Sequence, residues 1–257
     1  MKKYLLVMGG SEYGWSRYND MGIFRDYDAE ADRLIESAKP WDLKCIKLDN
    51  DFIFNSPYYL EHKDVLDQVS FGFCYKVIGF SEILKTADEE DILLFIDSNH
   101  IIQEDPSVFY DLANEFNICC RDHIFDNKPN WQWTRRDTFI NMNCDESRYW
   151  NSLQMQCNII GIKKCEFSMK FVNEWLKCSL DYKIMFGENK YPNFDGFKEH
   201  RHDQSIFSIL REKHQIPYIN RTHSKSMESI IPEKKCIIAE NPVDNSFRKE
   251  QDRKENK

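Results

Sequence analysis

The chain has 257 residues, 41% hydrophobic and 30% charged, with a net charge of −8 and a pI of about 5.5. That suits a globular protein of one large domain or two small ones with ample core. The acidic balance excludes a basic footprint for nucleic acid or an anionic membrane, and no apolar run approaches the ~20 residues of an integral membrane segment.

The start, MKKYLLVMGGSEYGW, offers an apolar run of about six residues before its glycines, short of the roughly 7–15 of a signal core. Tyr4 to Met8 therefore reads as a first strand, in a protein expected to be cytoplasmic. The glycine-rich stretch that follows is neither of two known phosphate loops. A P-loop would need lysine where Trp15 stands, and G-x-G-x-x-G is absent. Tyr13 or Trp15 could still stack on a nucleotide base.

Further along, Ala29 to Ala38 reads as a helix and Lys44 to Leu48 as a second strand. Val77, Phe80, Ile83 and Leu84 recur at helical spacing, so Tyr75 to Thr86 is predicted helical. ILLFI, Ile92 to Ile96, is short, wholly apolar and flanked by charge, which is the pattern of a central strand buried on both faces. Asp105-Pro106 reads as a helix start, with Asp105 as cap and Val108, Leu112 and Phe116 on the inner stripe. Strand and helix thus alternate over the first 120 residues or so, which predicts a mostly parallel sheet with helices on both faces. The second half is mixed. Asn158 to Ile162 is strand-like. Phe167 to Leu180 and Asp203 to His214 are helical, and Ile216 to Ile219 and Cys236 to Ala239 are short strands. The tail, residues 241–257, ends in RKEQDRKENK and is expected to be disordered, leaving residues 1–240 as the domain. The nine cysteines are odd in number and lack C-x-x-C spacing. Cys45, Cys157 and Cys178 lie among apolar residues, so reduced core thiols are predicted.

Three stretches carry chemistry. DILLFIDSNH ends a buried strand in Asp97, Ser98, Asn99 and His100. Ligands of open α/β sheets bind beyond the carboxyl ends of the strands, and a carboxylate there can hold a divalent cation bridging a diphosphate. Asp97 and Asn99 would point the same way if the chain stayed extended. Asn99 supplies only a neutral carbonyl, so Mn²⁺ or Mg²⁺ would be held weakly or be dispensable. The plainer reading, slightly ahead on this motif alone, is a turn that ends the strand. KEHRHDQSIFSIL places Asp203 as a helix cap, with His200, Arg201 and His202 crowding the positive end, as an anion site would. WTRRDTFINMNCDESRYWNSLQMQCNIIGI offers Arg135 and Arg136 for phosphate and Gln154 and Gln156 for sugar hydroxyls. Each of these alone could be ordinary polar surface.

In order and spacing these stretches resemble GT-A-type nucleotide-sugar glycosyltransferases, nearest to a group from capsular-polysaccharide gene sets and large DNA viruses. GFCYKVIGFSEILKTADEEDILLFIDSN matches that group's helix-to-strand segment. Lys76 stands for its lysine, Tyr75 for a tryptophan and Val77 for a proline. WTRRD, Gln154 or Gln156, Glu174-Trp175 and HRHDQS follow in the group's order, and the resemblance spans roughly residues 1–219.

The resemblance implies a single GT-A-like, Rossmann-like domain with a mixed, mostly parallel sheet. That domain would bind a nucleotide sugar, often a UDP-sugar, and pass the sugar to a glycan acceptor. Lys76 would lie near the nucleotide, Asp97 near the diphosphate or metal, and Asp203 with its histidines near the sugar. An inverting transfer, weakly favoured over a retaining one, needs a general base. Asp203 is the first candidate and Asp195 the second. Two other readings compete: a non-catalytic nucleotide-sugar or glycan-binding protein on a degenerate fold, favoured by Asn99, and a phosphohydrolase. The last would place its Asp-x-Asp after the first strand rather than at residue 97.

Overall fold

The computed structural model describes residues 1–10, 26–66, 74–122, 129–219, 230–231 and 238–240. Ser11 to Ser16 of the glycine-rich stretch, with Tyr13 and Trp15, as well as Cys236 and the 241–257 tail, lie outside them.

Three parallel strands form one half of the main sheet: β1 (Lys3–Met8), β2 (Lys44–Leu48) and β3 (Ile92–Ile96). β1 lies between the other two, with Leu5 opposite Cys45 on one side and Leu94 on the other. β4 (His100–Ile102) leaves this sheet and pairs antiparallel with β9 (Ile238–Glu240). The other half of the main sheet holds β5 (Ile118–Asp122), β6 (Met155–Lys163), β7 (Tyr218–Ile219) and β8 (Ile230–Ile231). The order is β2-β1-β3-β6-β5-β7-β8. Only β6 runs against its neighbours, so the sheet is mixed and mostly parallel, as expected.

Strand alternation sorts the core into two layers. Leu6, Leu93, Phe95, Ile160 and Ile162 face one side, and Leu5, Val7, Leu94, Ile96 and Ile159 the other. This answers why ILLFI has no polar face: both of its faces are buried. The first layer is covered by α4 (Tyr75–Thr86), α9 (Glu166–Leu180) and α11 (Asp203–Lys213), where Trp175 meets Phe207 edge-on at 5.0 Å. The second is covered by α1 (Tyr27–Ala38) and α5 (Ser107–Phe116). Shorter helices complete the chain order: α2 (Asn50–Phe54), α3 (Pro57–Leu66), α6 (Asn130–Trp133), α7 (Arg136–Asn141), α8 (Ser147–Trp150) and α10 (Tyr182–Met185).

Several local expectations shift. The 158–162 strand extends at both ends, because β6 is paired on both sides. Asp105 does not cap α5. Pro106 holds the cap position, and Asp105 accepts from Ser107 N at 2.9 Å in the turn before it. Asp203 is likewise the first residue inside α11, with His202 at the cap. The eight described cysteines are free thiols. Among the described residues, no helix is long and apolar enough to cross a membrane.

Candidate functional site

Lys76 is the second residue of α4 and is almost wholly buried. It crosses the first core layer with its ammonium 4.8 Å above the Phe95 ring and donates to Cys157 O at 2.7 Å. Its Nζ lies 3.7 Å from Asp97 Oδ1 and 3.5 Å from Asp203 Oδ2. Thus one ammonium joins the carboxyl end of β3 to the amino end of α11. Asp97 is there by strand parity: it follows Phe95 by two and emerges on the same face.

The chain does not stay extended beyond Asp97. Asp97 N makes a last sheet bond to Asn158 O at 2.9 Å, and His100 N then closes a turn on Asp97 O at 3.1 Å. The condition under which Asn99 would point the same way as Asp97 is therefore not met: the chain makes a four-residue turn, the plainer reading of this motif. Ser98 Oγ donates to Glu30 Oε2 at 3.0 Å, which ties the turn to α1. Asn99 Oδ1 is buried without a hydrogen-bond partner.

A second network supports the turn from behind. His100 Nδ1 donates to Asp97 O at 3.0 Å, and Asn158 Nδ2 lies 3.3 Å from His100 Nε2. The Asn158 carbonyl oxygen accepts from Arg121 Nε and Nη2 at 3.2 and 3.0 Å. An irregularity in β6 brings Asn158 there. β6 stays in register with β3 down to Ile159, whereas its pairing with β5 jumps from Gly161↔Cys119 to Gln156↔Arg121. Such bulges re-aim side chains.

The HRHDQS stretch is held by main chain. His200 Nδ1 accepts from Arg135 N at 3.3 Å, and its Nε2 donates to Met185 O at 2.8 Å. His202 Nδ1 donates to the same Met185 carbonyl at 3.1 Å. Arg201 pairs with Glu199. Both ring nitrogens of His200 are thus engaged by backbone.

The remaining predicted residues are spread more widely. Arg135 donates to Asn189 Oδ1, and Arg136 pairs with Asp145 at 3.3 Å and lies 5.3 Å from the Phe194 ring. Gln154 is buried with both amide heteroatoms unpartnered, and Gln156 Oε1 is buried and unpartnered as well. They stand three residues and one residue before Cys157, whose carbonyl holds Lys76. Asp195 is exposed on the 187–202 loop, and no hydrogen bond or ion pair joins it to Lys76, Asp97 or Asp203. The structure therefore gathers Lys76, Asp97 and Asp203, joins Asp195 to none of them, and gives Arg135, Arg136 and His200 partners of their own.

Burial raises the pKa of Asp203, and Asp97 adds to the rise while Lys76 opposes it. Burial also opposes the charge on Lys76, but Asp97 and Asp203 outweigh it and hold its pKa above the ordinary lysine value. Burial, helped by His202, pushes His200 down to about 3, so it is neutral. Burial lowers His202 too, against its bond to Met185. With both aspartates ionised the three-residue cluster carries one net negative charge, and a diphosphate would need a further cation there. Asp97 and the unpartnered Asn99 Oδ1 are hard oxygen donors of the kind that Mg²⁺ or Mn²⁺ takes alongside phosphates and water, so the residues fit such an ion. Among the described residues, no group of three or more His, Cys, Asp or Glu is placed to hold a metal ion.

Sequence reading missed Arg121, Asn158 and Glu30. For Arg121 a signal exists: an arginine inside the apolar strand ICCRD must be paired once it is buried.

No family model matches the chain, and no characterised protein matches it by sequence. Its backbone is similar to that of mouse xyloside xylosyltransferase 1 in its apo form. Identity is 11%, the TM-score is 0.49, and the match covers 94% of this chain and 98% of that one. It is also similar to the bifunctional glycosyltransferase WbbM (12%, TM-score 0.47), covering 81% of this chain and 37% of that one. A third likeness is to the galactosyltransferase LgtC with donor and acceptor sugar analogues (9%, TM-score 0.42), covering 80% of this chain and 69% of that one. At these scores no substrate or residue role carries over.

Proposed function

We propose that the chain is a nucleotide-sugar glycosyltransferase, taking its sugar from a donor such as a UDP-sugar and passing it to a glycan acceptor. The observation that carries this is the sharing of one buried ammonium by Asp97 and Asp203, at 3.7 and 3.5 Å. They belong to the two stretches in which the sequence most resembles GT-A-type enzymes, and Asp97 lies at the carboxyl end of a central strand, where ligands of such sheets bind.

Asp97 and Asn99 would hold Mn²⁺ or Mg²⁺ against the diphosphate. When bound, that ion would neutralise charge on the leaving group. Lys76 fixes the separation of the two carboxylates and supplies a fixed positive charge beside them. Asp203, whose burial raises its basicity, takes the proton of the acceptor hydroxyl, as an inverting transfer requires. Gln154 and Gln156, with amide atoms left over by the protein, hydrogen-bond sugar hydroxyls. Arg135, His200 and His202 support the wall on which Asp203 stands, and Arg136 remains a candidate for the donor's phosphates.

The experiment is a thermal-shift panel of nucleotide sugars with and without Mn²⁺, followed by donor hydrolysis and transfer assays. Asp97→Ala is expected to abolish turnover with little loss of stability. Asp203→Asn should lower transfer about 100-fold or more while leaving donor binding in place. Loss of binding as well would make Asp203 a ligand rather than a base. Binding without turnover on any acceptor would point to a binding role, and no binding of any nucleotide sugar would remove the proposal.

A further inference from the structure

The residue before Asp203 has a backbone conformation that its side chain disfavours. His202 has φ 49° and ψ −115°. The turn from Arg201 to Gln204 is closed by Gln204 N donating to Arg201 O at 3.1 Å. These angles are those of the first central position of a type II′ turn, near +60° and −120°, where glycine is the unstrained choice. A Cβ there costs conformational energy, so the surroundings must impose the geometry.

They do so from three sides. Met185 O accepts from His200 Nε2 at 2.8 Å and from His202 Nδ1 at 3.1 Å, so one carbonyl holds two imidazoles. The Phe186 ring lies 5.2 Å from the His202 ring, and the two imidazoles meet edge-on at 5.0 Å. Arg201 N donates to Trp133 O and to Ser205 Oγ, both at 3.1 Å. The end of α10, the end of α6 and the first turn of α11 thus clamp residues 200–202. The next side chain along is the Asp203 carboxylate.

We infer that His202 is a positioning residue: its clamped, glycine-type backbone starts α11 at the angle that sets the Asp203 carboxylate against Lys76. The functional part of this inference rests on the proposed role of Asp203 as base. The clamp is the device, because it imposes a geometry that a residue with a Cβ would otherwise leave. A relaxed chain at residue 202 would let the first turn of α11 swing, and displacement of a catalytic group by about 1 Å costs turnover on the order of 100-fold. Substrate affinity set by the other site residues would change little.

His202→Gly and His202→Ala separate the alternatives. Glycine removes both the strain and the imidazole, whereas alanine keeps the strain and removes only the clamp. The readouts are thermal midpoint, UDP affinity by calorimetry, kcat and KM for hydrolysis of UDP-glucose and UDP-galactose with Mn²⁺, and the Asp203–Lys76 separation in a crystal structure. His202→Gly is expected to keep a thermal midpoint at or above that of His202→Ala and to bind UDP as the wild type does. Glycine adopts this turn without strain, so its Asp203–Lys76 contact should stay near 3.5 Å, whereas in His202→Ala, with the strain kept and the clamp gone, that contact should lengthen and kcat fall about 100-fold with KM little changed. An unchanged separation in His202→Ala overturns the inference, as does full kcat in that variant. If wild-type protein neither binds UDP nor hydrolyses either donor, the glycosyltransferase reading fails, and the separation still decides the structural claim.

Discussion

Replacing Lys76 by methionine tests the centre of the site. Methionine nearly matches the side-chain volume, so packing over Phe95 persists and the ammonium alone is lost. Three partners then change. Cys157 O loses its 2.7 Å donor, which costs about 1–3 kcal/mol for a buried acceptor. Asp203, with its side chain 14% exposed, loses the cation at 3.5 Å. Asp97 loses one at 3.7 Å but is 31% exposed, so water screens most of its term. Removing one partner of a buried pair costs about 3–5 kcal/mol, which is roughly 6–20 °C in Tm for a chain of this size.

The pH dependence carries the sign. The folded-state pKa of Asp203 is raised above 3.8, so the folded chain binds its proton first as pH falls, and acidification into that window favours folding. Without Lys76 the pKa rises further and the window widens, so the deficit of the variant at pH 7 should shrink by pH 4.5. Lys76 itself has a folded pKa above 10.5. Its contribution is complete below 10.5 and is lost only as pH rises through the folded value. Urea unfolding followed by tryptophan fluorescence at pH 7 and 4.5, for Lys76→Met and for Lys76→Met with Asp203→Asn, measures this. The double variant should recover part of the loss. A single variant as stable as wild type at pH 7, or a deficit independent of pH, would refute the reasoning.

Two further outcomes are expected. Gly79→Ala should destabilise although alanine favours helices, because its Cβ would sit 2.4 Å from Cδ1 of the fully buried Leu48. Overpacking of about 1–3 kcal/mol exceeds the helix gain of about 1 kcal/mol, and a urea midpoint at or above wild type would contradict this. Glu174 receives Lys213 Nζ and His214 Nε2, each at 2.7 Å. Burial works against its ionisation, but these two partners prevail and lower its pKa. Its contribution is therefore present above 4.5 and lost as pH falls through the lowered value. Glu174→Gln should cost about 1 kcal/mol at pH 7 and nothing once pH is below the folded value. A constant difference across that range would show that the ion pair contributes nothing.

Much of the fold was legible because burial leaves a local imprint. ILLFI is apolar at every position because both faces of β3 are covered, and the stripe Val77, Phe80, Leu84 marks the face α4 turns to the sheet. The site was legible in part. Asp97 stood out as a carboxylate ending a buried strand, and HRHDQS as a dense polar helix start. The turn after Asp97 was the plainer sequence reading, but what holds it was not legible. The turn is closed locally by His100 but is supported by Asn158 and Glu30, which arrive from other elements, so those partners could not be read from the local run. Arg121 was missed because the segment ICCRD was not recognised as a strand, so its burial was not anticipated.

By itself the sequence determined most of the core strands and helices, though not β5 (Ile118–Asp122) or the short helices, together with which faces they bury and which polar groups stand at their ends. These follow from side-chain periodicity and local steric preference, properties carried by neighbouring residues. Only the tertiary structure decided that Lys76, Asp97 and Asp203 meet. That meeting depends on β6 entering antiparallel between β3 and β5, on the irregularity at Asn158, and on the clamp that starts α11. These are pairings between distant parts of the chain, fixed by packing of the whole sheet and its helices, and no local pattern encodes which distant carboxylate will share a buried ammonium.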